Sequence, residues 1–343
     1  MKSIHVQKLR SIEQVLISIS IAMFLVLLSS GAVAQKAFDR IVVFGTSLSD
    51  PGNAFALLND PANPFRLTQP LNVPPYDELD EYLVPDRPYA KGGHHFTNGA
   101  TWIEQFAQGQ GFAGDVRPAF QGNSIKATNY AIGGTRAYVN PNNPMPTFAY
   151  QVNAFVDRFS GTPLPNALYV IEIGSNDVRD ALAIALTTLN SDDVSVRLQA
   201  ALTEINSYIL YLKQTNGANK FLILSVPDIG LVPAVKAFGQ GVSELATRLT
   251  EQFNEGLYSL PALSGVDVVT LDLFTKLRNF VATPSDFGFI NVNTPCVTPN
   301  QPPFTCSKPD TYLFWDGIHP TKAAHAIIAQ DAAQAIAGLK AKP

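Results

Sequence analysis

The sequence predicts an α/β domain built around a mainly parallel sheet, and three observations carry this reading. Short apolar runs rich in Val, Ile, Leu and aromatic residues recur along the chain. Longer segments with apolar residues at spacings of three and four alternate with them. The composition, 46% hydrophobic and 15% charged over 343 residues, is able to bury a substantial core and excludes disorder or a disulfide mini-scaffold as the class.

Five runs are candidate strands: Arg40–Phe44, Ile125–Tyr130, Leu168–Ile173, Phe221–Val226 and Val266–Leu271. Helical spacing marks 99–108, 193–213, 243–258 and 321–337. The last of these follows Pro320 and opens on Thr321, while Ser191, Asp192 and Asp193 supply capping chemistry for the second. No internal repeat is present. Pro-rich stretches at 61–88 and 295–309 interrupt the pattern, within insertions spanning about 61–98 and 291–312. The α/β pattern resumes after each, so they read as large surface loops of one domain, residues 35–343, and loops of that length are usually functional or mobile.

The first 34 residues stand apart. Lys2, Lys8 and Arg10 precede an uncharged apolar run from Val15 to Leu28, and Ala32, Val33 and Ala34 supply small residues at a cleavage position. This is the pattern of a secretory signal peptide cut after Ala34, which predicts a secreted or periplasmic protein. The alternative is an uncleaved anchor, although the run is shorter than the ~20 residues a span needs. No other stretch is long and apolar enough to cross a bilayer. The net charge of −4, from 24 basic and 28 acidic residues, offers no basic excess for a phosphate backbone, so nucleic acid is not an expected partner.

Export alters the meaning of the two cysteines. Cys296 and Cys306 lie close together in the second Pro-rich loop, and an oxidising compartment favours joining them over leaving two free thiols. Neither sits in a metal-ligand spacing, and no His-Glu-x-x-His string occurs, so no metal is expected.

Four segments hold candidate chemistry. In FGTSLSDPGN, at 44–53, Ser47 follows the first strand in a strand-to-helix turn, at the sheet edge where open α/β folds bind ligands. A serine there is a candidate nucleophile if a base is near; the same residue types also serve as an ordinary helix N-cap. The Gly-x-Ser-x-Gly elbow of α/β-hydrolases is absent. In DGIHP, at 316–320, Asp316 and His319 are close enough for the carboxylate to orient one imidazole nitrogen while the other faces a nucleophile. His94, His95, His319 and His325 are the only histidines beyond the leader. His325 falls on an apolar helix and reads as a packed core residue. His94 and His95 read as solvated or substrate-lining loop residues rather than metal ligands.

The segments NYAIGGT, at 129–135, and IGSND, at 173–177, each follow a strand. A glycine N–H from the first and the Asn176 amide from the second, converging with the Ser47 N–H, would make an oxyanion hole. Gly, Asn and Asp also punctuate ordinary turns, which is the alternative for each segment alone.

Taken in order, the four segments resemble the GDSL family, also called SGNH hydrolases. The resemblance runs from FGTSLSDPGN to DGIHPT and includes HFTNGATWIEQFA at 95–107 and YLFWDGIHPT at 312–321. It implies a flavodoxin-like three-layer α/β/α fold, here with a mainly parallel five-stranded sheet. It also implies a secreted or periplasmic serine esterase or lipase that needs no cofactor. Ser47 matches the family nucleophile, Gly134 the oxyanion glycine, Asn176 the block-three asparagine, and Asp316 with His319 the final Asp-x-x-His. The usual Asp before the serine is Thr46 here, a change that bears on turn geometry and rate. The expected partner is a small-molecule, lipid or carbohydrate ester. Acyl transfer or phospholipase activity within the same family is the alternative, and a non-catalytic surface binding protein a more distant one.

Overall fold

Four of the apolar runs form one parallel sheet in the computed structural model of the chain: β1 (Arg40–Gly45), β2 (Ala167–Glu172), β3 (Lys220–Leu224) and β4 (Asp267–Leu271). They hydrogen-bond in that spatial order, every neighbouring pair parallel. The described residues are 37–66, 84–87, 89–91, 93–122, 124–139, 145–160, 162–188, 190–298 and 302–339. The expected leader and residues 67–83 of the first insertion lie outside them. Strands β2 and β3 are buried along their whole length, as a parallel sheet covered on both faces requires.

The fifth expected strand, Ile125–Tyr130, is not one. Its start is solvent-exposed, with Ile125 at 61%, and only its far end runs beside β1. There Val43 N donates to Thr128 O, Tyr130 N to Val43 O and Ile132 N to Gly45 O. Asn129 then bends the chain: its Oδ1 accepts from Ala131 N and its Nδ2 donates to Ser49 O, so its side chain competes with a regular ladder. The sheet is therefore four-stranded, with 128–132 as a bridging edge. Counted with that edge, its order is the flavodoxin-like 2-1-3-4-5, whose crevice opens between the loops after β1 and β2. Ser47 lies in the first of those loops, and Asn176 in the helix turn that directly follows the second.

The helices are α1 (Asn53–Leu58), α2 (Trp102–Gln110), α3 (Phe148–Arg158), α4 (Ser175–Thr188), α5 (Ser191–Asn216), α6 (Pro233–Lys236), α7 (Gln240–Ser264), α8 (Leu273–Ala282) and α9 (Lys322–Ile336). Helix α2 packs on α9, and α4, α5 and α7 pack on one another, completing an α/β/α arrangement around the sheet. Local chemistry sets the starts. Thr101 and Glu104 make a capping box on α2, and Thr321 Oγ1 accepts from Ala324 N on α9. The cap of α5 is Asn190, one residue before the expected Ser191–Asp193 group.

Two apolar clusters stand out among the described residues. The larger packs on one face of the sheet, that of Phe44, Tyr169 and Phe221, and includes Tyr130, Phe148 and Phe155. The smaller joins the two insertions: Val84, Tyr89, Ala90 and Phe96 of the first meet Cys296 and Val297 of the second around Trp315. Residues Phe38–Leu339 form one compact unit. Among the described residues no helix is long and apolar enough to cross a membrane.

Candidate active site

Strand β1 ends at Gly45, and the chain turns at once, with Ser49 N donating to Thr46 O. The half-buried Ser47 sits in this turn. Its neighbours are pinned from beneath. Glu172, at the end of β2 and in register with Gly45, accepts from Thr46 N at 2.9 Å, Thr46 Oγ1 at 2.8 Å and Ser49 Oγ at 3.1 Å. Burial pushes its pKa up to about 7, against the pull of these bonds. Ser49 also accepts from Trp102 Nε1 at 3.0 Å, so its buried hydroxyl is fully engaged. Asp50 accepts from Gly52 N, Asn53 N and Ala54 N, satisfying the start of α1.

The candidate base approaches from the other end of the chain. His319 Nε2 lies 2.8 Å from Ser47 Oγ, and His319 Nδ1 lies 2.7 Å from Asp316 Oδ2. Asp316 is fully buried and its bonds account for both oxygens. Oδ1 accepts from Ile318 N and His319 N; Oδ2 also accepts from Tyr89 OH at 2.6 Å. Burial would raise this carboxyl, yet the facing His319 and the bonds from His319 and Tyr89 hold it below the usual carboxylate value. The ring of Phe96 covers that of His319 at 5.2 Å between centroids. Trp315 N donates to His319 O at 2.7 Å and fixes the loop backbone.

The glycine loop is clamped at both ends by buried carboxyls. Gly133 N donates to Asp50 Oδ2 at 2.8 Å, tying the loop to the serine turn. Ala137 N and Tyr138 N donate to Asp177, each at 2.9 Å. Burial raises both Asp50 and Asp177 to about 6. A side chain at Gly133 would collide with Phe96, and Gly134 has φ +79°, a left-handed conformation that suits glycine. Asn176 lies in the first turn of α4, not in a loop, and its Nδ2 donates to Thr135 O at 2.9 Å. The amide therefore stands next to the residue after Gly134. Ser47, Asn176 and His319 line one cavity of about 430 Å³.

The remaining histidines are accounted for. His325 is buried, accepts from Trp102 N through Nδ1, and is pushed down to about 3 by burial; it is a core residue. Of the solvated or substrate-lining role expected for His95, the solvated reading does not hold: it is buried, with Nε2 about 3 Å from the Glu104 carboxylate. His94 is partly exposed and stacks on Phe55. Cys296 and Cys306 form a disulfide with Cα atoms 4.9 Å apart. Sequence reasoning missed Tyr89, Glu172 and Asp177. Asp177 was visible as an acidic residue opening a helix; the other two act only through folding, and no local signal marks them.

The family described as GDSL-like lipase/acylhydrolase matches residues 41–332. A GDSL esterase/lipase of Arabidopsis thaliana is 26% identical over 175 residues, covering 48% of this chain and 50% of that relative. A phosphatidylcholine-sterol acyltransferase of Aeromonas hydrophila is 24% identical over 354 residues, covering 88% of this chain and 91% of its own. Among solved structures, an acetyl xylan esterase of Geobacillus stearothermophilus aligns over 89% of this chain and 97% of that chain, at 14% identity and a TM-score of 0.44.

Proposed function

The chain belongs to the GDSL-like lipase/acylhydrolase family, and from that premise we propose that it is a serine hydrolase of carboxylic esters working through Ser47, His319 and Asp316. The relay Ser47 Oγ–His319–Asp316, with separations of 2.8 and 2.7 Å, is the observation that carries this reading. Those distances lie within the reach a general base needs.

His319 Nε2 takes the proton of Ser47 Oγ as that oxygen attacks the ester carbonyl carbon. The negative charge that develops on the carbonyl oxygen falls to the N–H groups of Ser47 and Gly134 and to the Asn176 amide. The same imidazole then protonates the departing alcohol and leaves an acyl-serine. Water attacks this ester, giving a proton to His319, and the acid departs as the proton returns to Ser47. Asp316 holds the ring in one orientation and balances its charge during each transfer. Release to an acceptor alcohol instead of water uses the same steps, and the similarity to an acyltransferase supports this as a second reading.

Ser47→Ala should abolish hydrolysis of a p-nitrophenyl ester while preserving the thermal transition. A fluorophosphonate should label Ser47 alone; labelling at Ser49 would overturn the assignment. Adding alcohol to the wild type separates the two readings, since a transferase forms a new ester at the expense of free acid. Export is part of the proposal, and N-terminal sequencing of the exported protein should begin at Gln35.

A further inference from the structure

We propose that the cavity beside Ser47 is an acyl-chain site and that the preferred substrates are esters of medium- to long-chain fatty acids rather than acetyl esters. This rests on the serine-hydrolase reading and adds the substrate class to it. The cavity of about 430 Å³ continues from Ser47, Asn176 and His319 along walls that include Leu182, Ile229, Val232, Val235, Leu277 and Phe280. Three charged residues line it besides His319: Asp180 is paired with Arg136 at 2.7 Å, Lys276 with Asp331 at 2.8 Å, and Arg179 is engaged as well. At the ~30 Å³ that one water occupies in the liquid, the space corresponds to more than ten water-sized units. An acetyl group would leave most of it to water facing apolar walls that offer few hydrogen-bond partners.

Two of the lining side chains are large, apolar and open to solvent, Phe238 at 64% and Leu186 at 44% exposure. An acyl chain would cover them. One wall of the cavity, on α4, places the acyl side of the ester, while residues around His319 line the opposite side. Asn176, Arg179, Ala183 and Leu186 follow one another at helical spacing along α4 and all line the cavity. The wall thus starts at the amide that faces the carbonyl oxygen and leads away from it. The leaving alcohol must instead lie over His319 Nε2, which protonates it.

The experiment compares kcat/KM for p-nitrophenyl acetate, butyrate, hexanoate and octanoate, and in a second arm for ethyl, butyl and octyl acetate. Each buried methylene contributes ~0.8 kcal/mol, or about fourfold, so the acyl series should rise at least 30-fold from acetate to octanoate and the alcohol series should stay nearly flat. Ala183 is exposed on its helix, so Ala183→Trp should fold and fill the cavity, cutting the octanoate-to-acetate ratio at least tenfold. If that variant does not fold, Leu186→Gln takes its place and should cut the ratio about threefold. A flat acyl series in a wild type that cleaves the acetate, an unchanged ratio in the folded variant, or dependence on the alcohol arm would each overturn the acyl site while leaving the hydrolase reading intact. A wild type that cleaves no ester would overturn both.

Discussion

The hydroxyl of Thr46 donates to the buried carboxyl of Glu172 at 2.8 Å. The position at which the serine motif departs from its family's pattern is therefore joined to an acidic side chain supplied by the neighbouring strand. Glu172 also receives Thr46 N and Ser49 Oγ, so it grips both sides of Ser47. A carboxyl stands behind Ser47 even though residue 46 does not carry one. Replacing Thr46 by Ala should cost the two hydroxyl contacts but leave the backbone bond, and with it the turn.

Glu172 makes stability depend on pH in a defined direction. Burial holds its folded pKa near 7, above the ordinary 4.5. The folded state then binds more protons than the unfolded state between those values, so stability is full below about 4.5 and is lost as pH rises through 7. At 1.36 kcal/mol per unit the loss is on the order of 3 kcal/mol. Asp50 and Asp177, raised to about 6, act in the same sense. Melting curves should show Tm falling between pH 5 and pH 8, with a shallower fall in Glu172→Gln. An equal fall in the variant would assign the dependence to the two aspartates alone.

Tyr89 links the first insertion to Asp316, the proposed orienting carboxylate, through a 2.6 Å bond. A hydrogen bond to a charged group contributes ~1.5–3 kcal/mol, and this one acts on the residue that orients His319. Tyr89→Phe keeps the packing against Trp315 and removes only the donor. We expect kcat to fall about tenfold with KM nearly unchanged. A change confined to KM would instead place Tyr89 against the substrate.

Asn176 already gives one amide hydrogen to Thr135 O, which leaves the other to meet a developing oxyanion. Asn176→Ala should lower kcat by about 10²–10³, the usual cost of losing one oxyanion donor. Binding of a non-reactive ester analogue, followed by calorimetry, should change little. Loss of affinity without loss of kcat would show that Asn176 serves ground-state binding.

Ser47 and Asn176 were legible as candidates because each follows a strand, where a parallel sheet gathers its loops, and Asp316 with His319 because of their local spacing just before a helix. Strands β1 to β3 were readable because apolar runs suit strands covered on both faces, and β4 because of its Val-rich run, although only Leu271 of it is buried. The bridging segment was misjudged because Asn129 diverts the backbone through side-chain bonds that apolar patterning does not register. Helices α3, α4 and α8 went unread although Phe148, Val152 and Phe155, then Val178, Ala181 and Leu182, and Leu273, Leu277 and Phe280 repeat at helical spacing. Tyr89 was hidden for a deeper reason. Its partner Asp316 is 227 positions away, and only the shared core of the two insertions brings them together.

That shared core also couples the disulfide to the base. Cys296 N donates to Phe314 O at 3.1 Å and Val297 N to Trp315 O at 2.7 Å, while Cys306 N donates back to Cys296 O at 2.7 Å. The clip thus lies against the two residues that immediately precede Asp316. Cys306→Ser opens a short loop whose closure contributes about 2–3 kcal/mol in the chain-entropy model, so Tm should drop on the order of 5 °C. Misplacing a base by ~1 Å costs up to about 10²-fold in rate, and we expect kcat to fall well below the melting temperature as well. Peptide mapping without reductant checks the bond itself. A variant that melts earlier but keeps full kcat would show that the bonds from Trp315 N to His319 O and from His319 N to Asp316 are enough to hold the base where Ser47 needs it.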